Sequence, residues 1–413
     1  MYICIVSSII MEENLFYREG YLERIQPFIG KHIIKILTGQ RRVGKSYLMK
    51  LLIQEIKKSA NINIIYVDKE REQFSSIQNH EQLYDYVINN LKSDKSNYLF
   101  VDEVQEISEF QKCLRSLLNE QLCDIYCTGS NANILSGELA TQLAGRYVAF
   151  TVHSLSYTEF LNFNAIADSD ENLNRYLTIG GMPYQHHIGT EPTIVFEYLK
   201  NVYASILLKD VVSRENIRNV ALLENLVAFL ADNTGSLLSA QNISKYLKSQ
   251  QIKMPTQTVI NYLKALSNAY FIHRTQRADI QGLKIFEIGE KYYFEDLGIR
   301  NSVRAFNFRA NVAKLIENAV YMQLLRLGYQ VYTGKDGERE IDFIGEKNGE
   351  RIYVQACYLL ADEKTIEREF GNLMLIEDNY PKYVVTLDPF SPHTTYKGIR
   401  QLHLREFLKS KEF

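Results

Sequence analysis

One eight-residue loop constrains the fold of this chain more than any other segment, and it reads Gly39, Gln40, Arg41, Arg42, Val43, Gly44, Lys45 and Ser46. It fits the pattern G-x-x-x-x-G-K-[ST], and it lies between an apolar run at 33–37 and a segment with helical periodicity at 46–57. Glycines let the backbone wrap around a pyrophosphate, and the N–H groups at the start of a helix attract negative charge. All eight residues are therefore predicted to bind a nucleoside triphosphate, with Lys45 at the β- and γ-phosphates and the Ser46 hydroxyl as a ligand of Mg²⁺.

Polar side chains follow two further apolar runs. One run ends in Asp102 and Glu103, and the next is followed by Ser130 and Asn131. Since the carboxyl ends of parallel strands meet at one edge of a sheet, these side chains are expected beside the phosphate loop. We predict that Asp102 helps to hold Mg²⁺ and that Glu103 orients and deprotonates the attacking water. Asn131 or Ser130 is predicted to sense the γ-phosphate or its water.

The nucleotide is expected to be ATP, because the sequence has no Asn/Thr-Lys-x-Asp signature for guanine. Arg146 ends the helix that is predicted before the fifth strand, and two roles remain open for it. It either stabilises the transferring phosphoryl group in trans, which requires a homo-oligomer, or binds the carbonyl groups at the end of its own helix. Arg41 and Arg42 either face solvent or touch a partner or a phosphate.

From residue 33 to about residue 150, short apolar runs alternate with longer helical segments, the order that gives a parallel sheet with helices on both faces. The predicted strands are 33–37, 62–67, 98–101, 125–127 and 147–152. A chain of 413 residues holds about two to three domains. We place them at 16–153, 154–284 and 285–413. The fold class is α/β, with a P-loop sheet first, a helical region next and an α/β domain at the end.

The middle and end regions have their own patterns. Helices at 240–247 and 255–266 followed by a strand at 270–274 resemble a winged helix-turn-helix, a module that binds DNA or docks a protein. In the end region a helix is expected at 313–327, and the strands expected after it are 330–332, 340–344, 352–356 and 383–386.

Composition excludes several classes of protein. The formal net charge is −2, so any contact with nucleic acid would come from a local patch and not from a globally basic surface. Five cysteines do not suggest a disulfide framework, and Cys123 and Cys127 are interpreted as buried thiols. The apolar start at 1–10 is shorter than the about 20 residues that cross a bilayer. The chain is expected in the cytoplasm, with no membrane partner.

Five segments together resemble prokaryotic predicted AAA+-type ATPases with an uncharacterised C-terminal domain; they are the loop at 39–46, the acidic box at 101–105, the segments 128–132 and 143–147, and Gly180-Gly181-Met182-Pro183. The resemblance implies a P-loop ATPase core, a winged-helix region and an end domain similar to the PD-(D/E)xK restriction-endonuclease-like fold. It supplies no substrate.

The end domain departs from an active nuclease of that fold, which needs a carboxylate in one strand and an acid-x-lysine in the next. Asp342 offers the first acid, and Glu317 on the preceding helix could join it. Gln355 and Cys357 stand where the second acid and the lysine should lie. We therefore predict no metal-dependent DNA cleavage, a fold kept as a scaffold or docking surface, and a structural role for Asp342.

A local basic segment at 299–314 keeps nucleic acid open as a partner. Its Arg300, Arg304, Arg309 and Lys314, with Phe306 and Phe308, either follow phosphates and stack on bases or form a solvated helix face, and we favour the second. The pairs His186-His187 and Lys209-Asp210 are expected at the surface or in turns.

Two functions fit these observations. In the first, the chain is an ATP-hydrolysing switch or motor in which nucleotide state acts on winged-helix and end domains that bind DNA or a protein. In the second, it is an ATP-gated DNA- or protein-binding adaptor with negligible turnover. Glu103 favours the first, because a pure binder needs no acid that activates water.

Overall fold

The computed structural model describes residues 16–135, 143, 145–280, 282–283, 285–304, 306–337, 339–360, 362–388 and 395–413. The chain divides into two compact units. The first unit consists of Met1–Gly39 and Gly44–Val152, and the second unit consists of Gln40–Val43 and His153–Phe413. The division after the fifth strand falls between Val152 and His153.

The first unit is built on a five-stranded parallel sheet with the strand order β2-β3-β4-β1-β5. Its strands are β1 (Ile34–Thr38), β2 (Ile62–Asp68), β3 (Ser96–Asp102), β4 (Asp124–Gly129) and β5 (Tyr147–Thr151). Its helices are α1 (Glu19–Ile25), α2 (Lys45–Ile56), α3 (His80–Asn90) and α4 (Phe110–Asn119). All five strands that the sequence predicts are confirmed, with shifts of one or two residues at their ends.

The central strand β1 contains one charged residue, although its neighbours are apolar. Lys35 is fully buried, and its ammonium forms an ion pair with Asp124 at the start of β4. Asp124 also accepts hydrogen bonds from the Gly30 N–H and the Tyr126 hydroxyl, both at 2.9 Å. Burial lowers the pKa of Lys35 against the opposing pull of Asp124. The otherwise apolar run of this strand therefore contains one buried charge, which is matched by a nearby partner.

The cysteines of the first unit are free thiols. Cys113 and Cys127 are buried, and Cys123 is half-buried. Burial raises the pKa of the Cys123 thiol to about 12, which makes it a poor metal ligand and nucleophile. The interpretation as structural thiols is confirmed for Cys127 and holds in part for Cys123.

The second unit begins with helices and continues into a mixed eight-stranded sheet. Its helices are α5 (Tyr157–Asn164), α6 (Asp170–Ile179), α7 (Gln185–Ile188), α8 (Pro192–Ser205), α9 (Val220–Asp232), α10 (Ala240–Ser249), α11 (Thr256–Asn268), α12 (Leu297–Ser302), α13 (Phe308–Arg326), α14 (Glu363–Met374) and α15 (Leu404–Lys409). A π-helical segment, Ile206–Ser213, follows α8 directly.

The eight strands follow the order β12-β13-β11-β10-β9-β8-β6-β7. They are β6 (Ile272–Asp279), β7 (Ile285–Phe294), β8 (Gln330–Asp336), β9 (Arg339–Lys347), β10 (Glu350–Ala356), β11 (Lys382–Thr386), β12 (Thr395–Tyr396) and β13 (Ile399–His403). The strand expected at 270–274 corresponds to β6, which pairs antiparallel with β7. The predicted boundary at 284/285 thus lies between two paired strands of one sheet.

Within the described residues, no helix is both long enough and apolar enough to cross a membrane.

Candidate phosphate site and two buried charge clusters

The loop between β1 and α2 owes its shape to two glycines with positive φ. Gly39 has a φ of +139° and Gly44, the N-cap of α2, a φ of +98°. A Cβ atom on Gly39 would lie 2.1 Å from the carbonyl oxygen of Val152, which follows β5. Gly39 is therefore required both by the close approach of the Val152 carbonyl oxygen and by its own backbone conformation. The Lys45 side chain is buried and donates to the Gly39 carbonyl oxygen at 3.0 Å, so its ammonium lies inside the loop.

Ser46 and Asp102 come together at the carboxyl edge of the sheet. Asp102, the last residue of β3, is buried and accepts hydrogen bonds from the hydroxyls of Ser46 and Thr128. Burial raises the pKa of Asp102, and these two hydrogen bonds counteract the rise in part. A hydroxyl beside a carboxylate is the oxygen donor set that Mg²⁺ prefers. The two residues that the sequence assigns to Mg²⁺ therefore fit that ion.

Glu103 is held by the end of β4. Its N–H donates to the Thr128 hydroxyl at 2.8 Å, and its Oε2 accepts hydrogen bonds from the Ser130 hydroxyl at 3.0 Å and from the Gln105 amide. Its Oε1 lies 3.9 Å from the Lys45 Nζ atom. The carboxylate is thus fixed close to the loop lysine, as the motif order predicts. Gln105 is a partner that the sequence reasoning missed, although it follows Glu103 by two residues.

Asn131 and Ser130 have different surroundings. Ser130 bonds to Glu103, whereas the buried Asn131 accepts a hydrogen bond at 2.7 Å from the backbone N–H of Asn133. Both lie just beyond β4, as predicted. The assignment of Asn131 as a γ-phosphate sensor stays a prediction.

The arginines near the loop differ in their environment. Arg146 is exposed just before β5, and most of the helix that the sequence predicts before it lies outside the described residues. Arg41 donates from Nε and Nη2 to the two carboxylate oxygens of Asp210, at 2.7 and 3.1 Å, within the second unit. Asp210 lies in the π-helical segment and is buried, so its expected place at the surface is wrong. Arg42 forms a hydrogen bond with Tyr198.

The second unit gathers three carboxylates around one lysine. The Lys291 Nζ atom, in β7, lies 2.9 Å from Glu317 in α13 and 2.8 and 3.3 Å from Glu340 and Asp342 in β9. The sequence predicts Glu317 and Asp342 as neighbours, and the structure brings them together. Lys291 was missed, because a single lysine in a strand carries no motif. Glu340, in the same strand as Asp342, is a third acid that the sequence reasoning did not include.

The charges of this cluster shift the pKa values of its members. Burial alone would lower the pKa of Lys291, but Asp342, Glu317 and Glu340 outweigh burial and raise it. Burial and Asp342 raise the pKa of Glu317 to about 7, against the pull of Lys291. The ammonium therefore takes the central position that a divalent cation would need. Gln355 accepts a hydrogen bond at 3.3 Å from the Asp342 N–H, which places it beside the acids.

The basic segment at 299–314 does not present its cations together. Arg300 is buried and donates to the Ala231 carbonyl oxygen at 2.6 Å and to Asn311 at 2.8 Å. Arg304 forms an ion pair with Asp232, and Lys314 donates to the Asp232 carbonyl oxygen. All three cations have partners in the protein, but only Arg300 is buried. The favoured interpretation of a solvated face is therefore wrong for Arg300 and agrees with the exposed Arg304.

Two family models match the chain. Residues 31–161 match the model described as "AAA domain", and residues 170–310 match a "Domain of unknown function (DUF8612)". The first match agrees with the parallel sheet and the phosphate loop of the first unit. The second spans the predicted boundary at 284/285.

Two relatives are similar over most of their length. An "Uncharacterized protein" of Haemophilus influenzae is 32% identical over 406 residues, which cover 96% of this chain and 100% of the relative. The "Uncharacterized protein MJ1544" of Methanocaldococcus jannaschii is 30% identical, with 81% of this chain and 77% of the relative covered.

Solved structures show weaker likeness. The Aeropyrum pernix ORC1 protein in complex with DNA is 13% identical with a TM-score of 0.33, covering 72% of this chain and 94% of that chain. AMPPCP-bound DnaA from Aquifex aeolicus is 16% identical with a TM-score of 0.33, covering 62% and 90%. Both TM-scores are too low to indicate a shared overall architecture, so no role is transferred from either structure.

We expect Asp102→Asn to stabilise the nucleotide-free protein at neutral pH. The raised pKa means that ionised Asp102 is disfavoured in the folded state, so stability is lost as pH rises through that pKa. A gain of about 1 kcal/mol would raise the melting temperature by about 2–4 °C. Circular dichroism melts without Mg²⁺ should show a larger gain at pH 7.5 than at pH 4.5. Asp85→Asn, at an exposed position, is the control. A melting temperature of Asp102→Asn below that of the wild type at pH 7.5 would contradict the view that ionised Asp102 is disfavoured in the folded state.

We expect Lys291→Met to destabilise the second unit by about 3–5 kcal/mol, because it leaves three carboxylates without their cation. The loss should be smaller at pH 5 than at pH 8, since Glu317, whose pKa is raised to about 7, takes up a proton as pH falls. Urea unfolding followed by circular dichroism at both pH values measures this loss in the free energy of unfolding. Lys364→Met, at an exposed position on α14, is the control. A loss that does not depend on pH would show that carboxylate repulsion is not its cause.

Proposed function

Because the chain belongs to the same family as the uncharacterised Haemophilus influenzae protein and carries an AAA domain, we propose that it binds ATP with Mg²⁺ and hydrolyses it. One observation carries the proposal. Lys45 at the loop, Asp102 with Ser46, and Glu103 with Ser130 meet at a single edge of the parallel sheet. A site that only binds nucleotide has no need for a carboxylate fixed in this place.

Each group has a separate task in this proposal. The backbone N–H groups of 39–46 cradle the phosphates, and Lys45 leaves the Gly39 carbonyl oxygen to contact the β- and γ-phosphates. Ser46 and Asp102 would hold Mg²⁺, which supplies positive charge to the phosphate oxygens when bound. Glu103 orients the attacking water and accepts its proton, while Ser130 and Gln105 hold the carboxylate in position.

The loop also offers a route from nucleotide to the second unit. Gly39, Lys45 and Ser46 belong to the first unit, whereas Gln40–Val43 belong to the second. Arg41 is fixed there by a bidentate contact with buried Asp210, in the π-helical segment. A change in loop conformation on nucleotide binding would therefore act on that segment. This supports a switch or motor in preference to a nucleotide site that acts alone.

The partner is the less defined part of the proposal. Helices α10 and α11 followed by β6 and β7 have the element order of a winged helix-turn-helix, which binds DNA or docks a protein. Because Arg300 is buried and Arg304 and Lys314 both bind Asp232, this segment does not present a set of cations to phosphates, which favours a protein partner for the end domain. The Lys291 cluster supports an end domain that is restriction-endonuclease-like in fold and does not cleave DNA. The free thiols support a place in the cytoplasm.

We expect Glu103→Gln to lower the rate of phosphate release from ATP by about 10²–10⁴-fold, because the amide cannot accept the proton of water. Calorimetry should show that ATP affinity is retained in Glu103→Gln and lost in Lys45→Ala. Glu106→Gln makes the same change at an exposed site three residues later and should keep the full rate. Equal rates for wild type and Glu103→Gln would refute the role of Glu103. Tight binding of ATP without any turnover in the wild type would establish the adaptor function instead.

For Arg146 we propose the role in trans, which its exposure permits. The rate of phosphate release per chain should then rise with protein concentration in the wild type, and Arg146→Ala should reduce it by about 10³-fold. Arg115→Ala removes another exposed arginine of the first unit and serves as the control. The alternative role holds if the wild-type rate per chain does not depend on protein concentration and gel filtration shows a monomer. Arg146 would then bind the carbonyl groups at the end of its own helix.

A further inference from the structure

A buried cluster of two imidazoles and one carboxylate lies in the second unit, and the proposed ATP hydrolysis makes no use of it. The carboxylate is Glu295, whose Oε2 lies 2.9 Å from the His153 Nδ1 atom and 2.7 Å from the His273 Nε2 atom. All three ligand atoms lie within 4.8 Å of one another. The exposed fractions of the side chains are 7% for His153, 1% for Glu295 and 14% for His273.

The fold brings these residues together from distant parts of the chain. His273 in β6 is paired with Tyr293 in β7, and Glu295 follows two residues later. Glu295 lies one residue past the end of β7, and its N–H donates to the Phe271 carbonyl oxygen at 3.3 Å, so the pairing continues and His273 and Glu295 are diagonal neighbours. His153 is the first residue of the second unit after the first unit ends at Val152. The site would therefore join the start of this unit to its β6–β7 hairpin.

The carboxylate is already oriented by other groups. The Ser154 N–H donates to the Glu295 Oε1 atom at 2.7 Å, and the Ser154 hydroxyl donates to the Glu295 carbonyl oxygen at 3.0 Å. Oε1 is thus occupied, and Oε2 faces the two imidazoles. Metal sites regularly contain a hydrogen-bond donor that holds a ligating carboxylate in its orientation, as Ser154 does here.

Two imidazoles and one carboxylate form a donor set for zinc and similar first-row divalent ions, and a poor one for Mg²⁺ or Ca²⁺. Around a tetrahedral zinc ion, ligand atoms at about 2.0–2.2 Å from the metal lie about 3.3 Å apart. The separations of 2.9 and 2.7 Å between the Glu295 Oε2 atom and the two imidazole nitrogens are shorter than this by less than about 1 Å, so the carboxylate oxygen would move away from the nitrogens when an ion enters. The edge of His273 that reaches solvent gives the ion a route in.

We propose that His153, His273 and Glu295 form a binding site for one zinc-class divalent ion, with a water molecule as the fourth ligand. The ion would fasten the β6–β7 hairpin, the two strands after the helices α10 and α11, to the start of the second unit. The site does not depend on ATP binding and would be present in a chain that hydrolyses no nucleotide.

The test uses the full chain, stripped with a chelator and titrated with Co²⁺, whose visible absorption reports coordination by nitrogen and oxygen ligands. One equivalent of Co²⁺ per chain should bind, Zn²⁺ should displace it, and excess Mg²⁺ should not. His273→Ala should keep its circular dichroism spectrum and weaken Co²⁺ binding by more than the about 100-fold that follows loss of a group supporting a ligand. His187→Ala removes an exposed imidazole next to His186 and should change nothing.

Each outcome decides the proposal. It is overturned if the wild type gives no Co²⁺ absorption, if His273→Ala binds as the wild type does, or if His187→Ala abolishes binding, which would locate the ion at the surface pair. If His273→Ala fails to fold, X-ray absorption of the zinc-loaded wild type replaces it. Scattering from two imidazoles would support the site, and scattering from fewer than two would refute it.

Discussion

The position of β1 between β4 and β5 is the constraint on which the first unit depends. All pairings in this sheet are parallel, so the carboxyl ends of β1, β3 and β4 lie at one edge. The phosphate loop, Asp102 with Glu103, and Ser130 each follow one of these ends. Burial of β1 on both faces also explains why Lys35 needs Asp124, since an unpaired ammonium in that position would be costly. The core and the candidate site are therefore consequences of the same strand order.

Much of this unit could be predicted from sequence because its signals are local. The strands are apolar runs bounded by turns, and the residues of the loop 39–46 are neighbours in the chain. Asp102 and Ser46 are far apart in sequence, yet the rule for parallel sheets was enough to place them together. The boundary that the sequence predicts at 153/154 rests on the same kind of signal, because the character of the sequence changes there.

Contacts that join distant segments were not predictable in this way. Arg41 and Asp210 are separated by 169 residues, and His153 and Glu295 by 142. Nothing in either neighbourhood marks the partner, and a histidine or lysine alone in a strand is compatible with many environments. In the segment 299–314 the sequence was misleading in another way, because several cations close together suggested a solvated helix face. In the fold, burial of Arg300 against the Ala231 carbonyl oxygen removes it from that surface.

The backbone at Glu103 has a consequence for sequence variation at that position. Its φ of +54° lies in the left-handed region, which residues other than glycine adopt at a conformational cost. Asparagine and glycine would adopt this conformation more easily than glutamate, but neither carries a carboxylate. Glutamate at this position accepts that cost and places its carboxylate 3.9 Å from the Lys45 Nζ atom. Glycine or asparagine here would relax the turn and remove the charge, so the strained backbone and the acid belong together.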